Sequence, residues 1–213
     1  MNTADRDLLR LAARLASILG PEQCLLVGGL AVGGHGYVRA TDDIDLIVSY
    51  SLVEARRKLE AKGIETTLMK ADVLEDGFPC LRGVLEGIRF DVLPMLVPLE
   101  WERAIEVITE GARLRVVDLE GLLRLKLRAR GVQDVLDVAV LVLRHAQYRE
   151  RAREIARAHR ILDRLDSFLA DRRTQATAEE QRAREDQAID ETRRPSPTPK
   201  GRRRSRPRGQ SKR

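Results

Sequence analysis

The sequence predicts an α+β fold with a C-terminal helical cap and a disordered basic tail. Short aliphatic runs bounded by glycine alternate with amphipathic segments up to about residue 117, and successive helical patterns follow them. The last 43 residues carry almost no apolar side chains and cannot bury enough surface to fold alone. We therefore expect a core at 1–117, a helical part of the same domain at 118–170 and a disordered basic tail at 171–213.

The first half of the predicted fold follows from hydrophobic periodicity and from glycine or proline stops. Leucines at helical spacing define the first helix, which ends at Gly20 and Pro21. A short apolar run then predicts a buried strand, and a glycine-rich turn leads into a short helix. The predicted elements are a helix at 4–19, a strand at 24–27, a turn with a short helix at 28–36 and a strand at 44–48. A helix at 52–63 and a strand at 64–70 follow.

The second half begins with a β-hairpin whose turn lies at Gly87. Apolar residues at helical spacing then predict a helix that carries Trp101, and one short strand follows it. Three amphipathic helices complete the domain and form its C-terminal cap. We expect the hairpin at residues 82–94, the helix at 99–109 and the strand at 113–117. The three helices of the cap are expected at 118–130, 133–146 and 149–170.

Composition restricts the class of protein. Hydrophobic residues make up 43% of the chain and aromatic residues only 3%, so the core must be aliphatic. No apolar run approaches the roughly 20 residues that a membrane span needs, and the N-terminus lacks the pattern of a signal peptide. We therefore expect a cytoplasmic protein without a membrane partner, in which Cys24 and Cys80 are plain reduced thiols.

The net charge of +6 is unevenly distributed along the chain. Residues 171–213 hold 14 Lys and Arg against 7 Asp and Glu, whereas residues 1–170 hold 25 against 26. The tail therefore supplies the whole basic excess. This pattern predicts attraction to a polyanion such as RNA or DNA. It fits a terminal extension without a specific role equally well, since no aromatic residues for base stacking lie among the basic ones.

Three carboxylates crowd into the stretch RATDDIDLIVS, at the start of the strand predicted for 44–48. Side chains two residues apart in a strand share one face, so Asp43 and Asp45 point together, whereas Asp42 points away into solvent. Two such carboxylates repel each other unless a cation lies between them, and oxygen ligands suit Mg2+. Taken alone, the D-x-D pattern is weak evidence, because a solvated acidic turn has the same sequence.

Two neighbouring features strengthen the case for a site. Asp91 interrupts the apolar strand IRFDVLP, although strand interiors normally avoid Asp. If that strand lies beside the first, the three carboxylates converge, and such a cluster can bridge two metal ions. Gly28 and Gly29 follow a strand and open a short helix, where glycine permits close backbone approach and free N–H groups bind phosphate.

These residues resemble the nucleotidyltransferase superfamily, in particular its bacterial branch of AbiEii-type abortive-infection toxins. The pattern of that branch, G-G-x-A-x-x-x-H-G-x-x-R-x-T-x-D-I-D, is matched in register from Gly28 to Asp45. The resemblance spans about residues 5–145. It implies a nucleotidyltransferase-like mixed sheet flanked by helices, with the catalytic core at 1–117.

A later part of the family pattern is matched less closely. The K-L-x-A motif resembles residues 126–129, and the D-x-x-D-V motif resembles residues 134–138. Relatives place Gly-Arg after K-L-x-A, whereas this chain has Arg130 before Gly131. The basic side chain is therefore displaced by one position, which puts an equivalent role for Arg130 in doubt.

The resemblance implies a role for each residue of the pattern. Asp43 and Asp45 would hold Mg2+ with a bound nucleoside triphosphate, and Asp91 would hold a second metal ion and help to deprotonate the attacking hydroxyl. Contacts with the nucleotide are implied for Gly28, Gly29, Arg39, Thr41 and Lys126.

Two of these assignments have alternatives that the residues alone leave open. Arg39 either contacts phosphate or closes its loop as a surface residue. Lys126 lies on the leucine stripe of its predicted helix, where a charge is rarely left unpaired. It contacts a ligand phosphate, pairs with Asp134 or Asp137, or extends its amine to solvent.

The leading hypothesis is an Mg2+-dependent nucleotidyltransferase that moves a nucleoside monophosphate from an NTP to an acceptor hydroxyl. The toxin relatives imply a tRNA 3′ end as acceptor, with a small molecule second and a protein hydroxyl third, and an antitoxin protein as partner. The alternative is a non-catalytic nucleotide- or nucleic-acid-binding module of a toxin–antitoxin type system. Retention of three carboxylates argues against it, because phosphate binding alone favours fewer negative charges.

Overall fold

The structure, a computed structural model, describes residues 3–70 and 78–193 and confirms an α+β fold. Within those ranges the strands are β1 (Cys24–Val27), β2 (Asp43–Val48), β3 (Thr66–Met69), β4 (Cys80–Leu85), β5 (Ile88–Leu93), β6 (Ile105–Thr109) and β7 (Ala112–Val116). The helices are α1 (Thr3–Leu19), α2 (Gly28–Gly34), α3 (Leu52–Glu60), α4 (Leu119–Ala129), α5 (Val132–Arg144), α6 (Arg149–Ala158), α7 (Leu162–Ala170) and α8 (Arg172–Arg193). None of the described helices has the length and apolar character needed to cross a bilayer.

Strand β2 lies at the centre of a mixed sheet with the order β3-β4-β5-β2-β1-β7-β6. It pairs antiparallel with β1 and parallel with β5. In the parallel pairing, Asp43 lies opposite Arg89 and Asp45 lies opposite Asp91. In the antiparallel pairing, Asp45 lies opposite Val27 at the end of β1. The register therefore brings the start of β2, the middle of β5 and the end of β1 to one place.

The core around this place is aliphatic, as the composition predicts. Leu46, Ile47 and Val48, which directly follow the acidic pair, are completely buried. Full burial of each such side chain contributes about 1.5–3 kcal/mol to stability. The apolar half of β2 is therefore a rigid support for the carboxylates at its start.

The prediction of a helix over 99–109 is wrong. Only a single 3-10 turn forms at Trp101–Arg103, and the edge strand β6 follows it. Glu110 and Gly111 both have positive φ, 47° and 79°, and together they form the two-residue turn that joins β6 to β7. Four of the five residues of β6 are β-branched, which also favours a strand.

The prediction of one continuous helix over 149–170 is also wrong, because α6 and α7 are separate. Arg160 adopts a left-handed conformation with a φ of 59°, and this interrupts the helical hydrogen bonds. The interruption lets α7 pack against both α5 and α6. Arg130 ends α4 in the same way, with a φ of 60°, and its side chain is exposed.

The prediction of disorder from residue 171 onward is wrong for the first part of the tail. Residues Arg172–Arg193 form α8, which packs against α5 and α7. The carboxylate of Asp171 caps this helix by accepting a hydrogen bond of 2.8 Å from the backbone N–H of Thr174. Thr174 and Ala178 are buried, so α8 uses the apolar surface of its neighbours in place of a core of its own. Residues 194–213 lie outside the described residues.

Candidate active site

The three predicted carboxylates lie together at the centre of the sheet. Asp43 and Asp45 share one face of β2, and Asp91 lies directly beside Asp45 on β5. Asp91 is buried, Asp43 and Asp45 are partly buried, and Asp42 is exposed. The fold therefore brings Asp43, Asp45 and Asp91 together and separates Asp42 from them.

Burial and mutual repulsion act most strongly on Asp45. Burial raises the pKa of its carboxyl group to about 7, and the charges of Asp43 and Asp91 add to the rise. Lys126 and Arg89 act in the opposite direction. Asp45 is therefore the position where a bound cation would relieve the largest electrostatic cost.

Gly28 and Gly29 make room for the side chains of this site. Gly28 has a φ of 65°, and a Cβ atom there would lie 1.8 Å from the Oδ2 atom of Asp45. A Cβ atom on Gly29 would lie 2.5 Å from the Oγ1 atom of Thr41, whose hydroxyl donates to the Oδ1 atom of Asp43 at 3.2 Å. The sequence predicted that these glycines let a triphosphate approach the backbone. In the fold, they let Asp45 and Thr41 approach it.

Two arginines that the sequence analysis did not single out bind the outer carboxylates. Arg82 on β4 donates to both oxygens of Asp91, with an Nε–Oδ1 distance of 2.9 Å and an Nη2–Oδ2 distance of 2.7 Å. Arg89 on β5 donates to the Oδ2 atom of Asp43. Both arginine side chains are exposed. An exposed ion pair contributes about 0–1 kcal/mol, so the pair of Arg89 with the partly exposed Asp43 separates easily. The two hydrogen bonds to the buried Asp91 hold Arg82 more firmly.

The two cations for which the sequence left a phosphate contact open are both bound by carboxylates of α5. The Nε and Nη2 atoms of Arg39 donate to the two oxygens of Asp137, each at 2.8 Å. The Nζ atom of Lys126 lies 2.7 Å from Asp134 and 2.9 Å from Asp137. The side chain of Asp137 is completely buried. Removal of one partner from such a buried pair costs about 3–5 kcal/mol.

These contacts match the pairing alternative for Lys126 and give Arg39 a structural partner. Burial lowers the pKa of Lys126, but Asp134 and Asp137 outweigh it, so the pKa is raised and the amine stays charged. Burial raises the pKa of Asp137, but the hydrogen bond from Arg39 and the charge of Lys126 outweigh it, so the pKa is lowered. The network therefore remains ionised inside the protein.

A cavity of about 160 Å³ opens beside the carboxylates. Its lining combines polar and apolar residues, among them Gly28, Asp45, Lys126, Ile47, Leu93 and Leu122. The volume is smaller than the roughly 300–1,000 Å³ of pockets that take drug-sized ligands. The cavity is therefore too small for a whole drug-sized ligand.

The donor set suits a hard divalent cation, but the side chains are not gathered around a single point. Three carboxylates offer the oxygen ligands that Mg2+ prefers. Within residues 3–70 and 78–193, however, no group of three or more His, Cys, Asp or Glu side chains is placed to hold a metal ion. The arginine pairs provide a physical reason, because Arg82 and Arg89 occupy the oxygens of Asp91 and Asp43.

Comparison with known proteins identifies the fold. No family model matches the chain, and no curated protein matches its sequence. Among solved structures, the chain is similar to ANT(2″)-Ia in complex with adenylyl-2″-tobramycin, at 15% identity over 74% of this chain and 98% of that chain, with a TM-score of 0.50. It is also similar to JHP933 from Helicobacter pylori, at 15% identity over 90% of this chain and 98% of that chain, with a TM-score of 0.41. The first match shows a nucleotidyltransferase-like fold, and the matches do not identify the AbiEii-type branch.

Proposed function

We propose that this protein is an Mg2+-dependent nucleotidyltransferase that moves a nucleoside monophosphate from an NTP to an acceptor hydroxyl. The observation that carries the proposal is the register of β2 and β5, which lays Asp45 beside Asp91 with Asp43 on the same face. Converging carboxylates on rigid strands are costly unless a cation offsets their charge. The nucleotidyltransferase-like fold and the cavity at the carboxylates support the same activity.

The carboxylates would hold Mg2+ and handle the proton of the acceptor. Asp43, Asp45 and Asp91 would be the ligands for two ions. Bound Mg2+ supplies electrostatic stabilisation of the charge on the transferred phosphoryl group and on pyrophosphate. Asp91 accepts the proton of the attacking hydroxyl at a carboxylate oxygen, after its pair with Arg82 has opened.

The remaining residues of the pattern position the nucleotide and the carboxylates. Lys126 lines the cavity and gives two of its three N–H donors to Asp134 and Asp137, so the third would be available to a phosphate. Arg39 acts through Asp137, which fixes Lys126. Thr41 occupies the space left by Gly29 and orients Asp43 through its hydrogen bond. Gly28 leaves room for the side chain of Asp45.

For the acceptor hydroxyl, the first candidate is the 3′ end of a tRNA. Residues 194–213 contain nine Lys and Arg and no acidic residue, and such a segment attracts a polyanion. A small hydroxylated molecule is second, since the structure of ANT(2″)-Ia contains adenylyl-2″-tobramycin. A protein hydroxyl is third. The toxin role and an antitoxin partner rest on the sequence resemblance alone, and a small regulator encoded next to this chain would support them.

The activity is tested by incubating the full chain with labelled NTPs, Mg2+ and total tRNA, and in parallel with hydroxylated small molecules. We expect incorporation that Asp43→Asn abolishes. Asp42→Asn is the matched control, because Asp42 is the adjacent aspartate but is exposed and lies outside β2. Equal incorporation by Asp43→Asn and the wild-type protein would contradict the assigned role of Asp43.

A non-catalytic nucleotide-binding module is the second candidate, and the arginine pairs favour it. Arg82 and Arg89 pair with two of the three carboxylates, so these pairs already offset part of the negative charge. Such a protein would bind NTP and transfer nothing. NTP binding without incorporation into any acceptor class would therefore favour the module over the enzyme.

A further inference from the structure

Two exposed arginines cover the candidate active site from the side of the β4–β5 hairpin. Arg82 and Asp91 are direct partners in the register of this hairpin, and Arg89 lies opposite Asp43 across the β2–β5 pairing. The side chains of Asp91 and Asp43 are only 13% and 27% exposed, whereas those of their partners Arg82 and Arg89 are 43% and 50% exposed. The anchored members of both pairs are therefore the carboxylates, and the arginines form their solvent side.

The other two cations of the site are bound differently. Lys126 and Arg39 both bind Asp137, whose side chain is completely buried. Departure of either cation would leave the buried carboxylate of Asp137 without part of its counter-charge. Arg82 and Arg89 have exposed, long side chains that can turn outward, and a cation that replaces them on Asp91 and Asp43 leaves no charge unpaired. They are therefore the cations of this site that can exchange partners.

Charge and geometry indicate what the exchange would be. The first divalent ion at the carboxylates brings the same two positive charges that the two arginines supply, and the second ion of the proposed site adds to them. An oxygen that ligates Mg2+ is not available to a guanidinium group in the same direction, so metal binding releases Arg82 and Arg89. The released groups lie at the mouth of the site, where a polyphosphate offers the paired oxygens that guanidinium groups bind in fork geometry.

We infer that Arg82 and Arg89 are exchangeable cations, which pair with Asp91 and Asp43 in the metal-free protein and bind the triphosphate once Mg2+ has taken the carboxylates. The inference rests on the proposed function and adds the residues that would contact the phosphates. In the metal-free state the arginines take the place of the ion.

The test measures two affinities that should change in opposite directions. Arg82→Gln, Arg89→Gln and the double variant of the full chain are titrated calorimetrically with MgCl2 alone, and then with inorganic tripolyphosphate in excess Mg2+. We expect Mg2+ alone to bind about two- to fivefold more tightly to each single variant, because one pair no longer has to open. Tripolyphosphate should bind at least tenfold more weakly, because charge-assisted hydrogen bonds are lost.

Two controls separate this role from simple effects of charge or folding. Arg113→Gln removes the same charge from a strand arginine paired with Glu22 at 2.8 Å, and it should leave both affinities unchanged. Arg82→Lys keeps the charge but loses the fork, so its tripolyphosphate affinity should lie between those of the wild type and Arg82→Gln. Urea unfolding without metal confirms that each variant is folded.

The outcomes distinguish the inference from the proposed function. Suppose that Mg2+ binds the wild type but not Asp45→Asn, while the arginine variants bind both probes like the wild type or bind both more weakly. The exchange is then wrong, and the metal site stands. If the wild type binds no Mg2+ at all, the proposed metal chemistry fails and the exchange fails with it.

Discussion

Replacement of Asp45 by asparagine should stabilise the metal-free protein at pH 8 and remove its response to Mg2+. Burial, Asp43 and Asp91 raise the pKa of Asp45 from 3.8 to about 7. A carboxyl group whose pKa is higher in the folded chain favours folding while it is protonated. The stability that the protonated group contributes is complete below about pH 3.8 and is lost as the pH rises to about 7. Above that pH the charged carboxylate destabilises the folded protein. Asparagine keeps the shape of the side chain and removes the charge.

The size of the effect follows from the pKa difference. About three units at about 1.4 kcal/mol per unit set an upper limit of about 4 kcal/mol. Asp45 is partly exposed, and solvent screens part of the repulsion, so we expect a gain of about 2 kcal/mol at pH 8. At pH 5 the gain should be less than half as large. In a chain of this size, 2 kcal/mol corresponds to a rise in Tm of roughly 4–8 °C.

The assay is urea unfolding in EDTA at both pH values, with the slope of the transition compared to confirm that the unfolded states match. Asp42→Asn, the exposed neighbour, should stay within about 0.5 kcal/mol of the wild type. Mg2+ at about 100 times its Kd should then stabilise the wild type by about 2.7 kcal/mol and leave Asp45→Asn unchanged. The reasoning is refuted if Asp45→Asn is less stable than the wild type in EDTA at pH 8, or if Mg2+ stabilises both equally.

Three further predictions concern the parts that support the site. Gly28→Ala should lower the free energy of unfolding in urea by at least about 2 kcal/mol and abolish stabilisation by Mg2+. The added Cβ would lie 1.8 Å from Asp45, at a backbone φ of 65°. The control Gly33→Ala adds a Cβ that meets no atom within 4 Å, so it should be neutral or stabilising. Asp137→Asn should cost about 3–5 kcal/mol, since Lys126 and Arg39 lose a buried counter-charge; a loss below 1 kcal/mol would show that the network contributes little. Deletion of 194–213 should leave the urea midpoint unchanged and weaken both RNA binding and its dependence on salt; unchanged RNA binding would exclude the polyanion role of this segment.

The carboxylates could be predicted from the sequence because their arrangement depends on local rules. Alternation along β2 places Asp43 and Asp45 on one face whatever the remainder of the fold does. A lone Asp91 in an apolar strand indicates that something nearby needs its charge. That the two strands are neighbours was a condition of the prediction, and the register of Asp45 with Asp91 meets it.

The elements that sequence analysis missed depend on contacts made by distant segments. Residues 99–109 have an apolar pattern that fits a helix, but the turn at Glu110–Gly111 pairs them with β7 instead. Helix α8 has too few apolar residues to fold alone, and its stability comes from the surfaces of α5 and α7. Neither contact is visible in a local window of sequence.

The two arginines differ in how far the sequence could have revealed them. Arg89 precedes Asp91 by two positions, so alternation alone places it on the face of the carboxylates. Arg82 reaches that face only through the hairpin register, in which Leu85 pairs with Ile88 and Arg82 with Asp91. A strand arginine at spacing two from a buried aspartate is therefore a usable signal, whereas its partner across a hairpin requires the fold.

The contacts inside the G-G…R-x-T-x-D-I-D pattern change what a match to it can establish. Gly28 leaves room for Asp45, Gly29 leaves room for Thr41, and Thr41 donates to Asp43, so several positions of the pattern serve to hold the acidic pair in place. A binding module that kept this loop for its shape would preserve the same spacing. The pattern alone therefore cannot separate an enzyme from such a module. The distinguishing property is whether Asp43 and Asp91 can exchange an arginine for a metal ion, which the opposing changes in Mg2+ and tripolyphosphate affinity would measure directly.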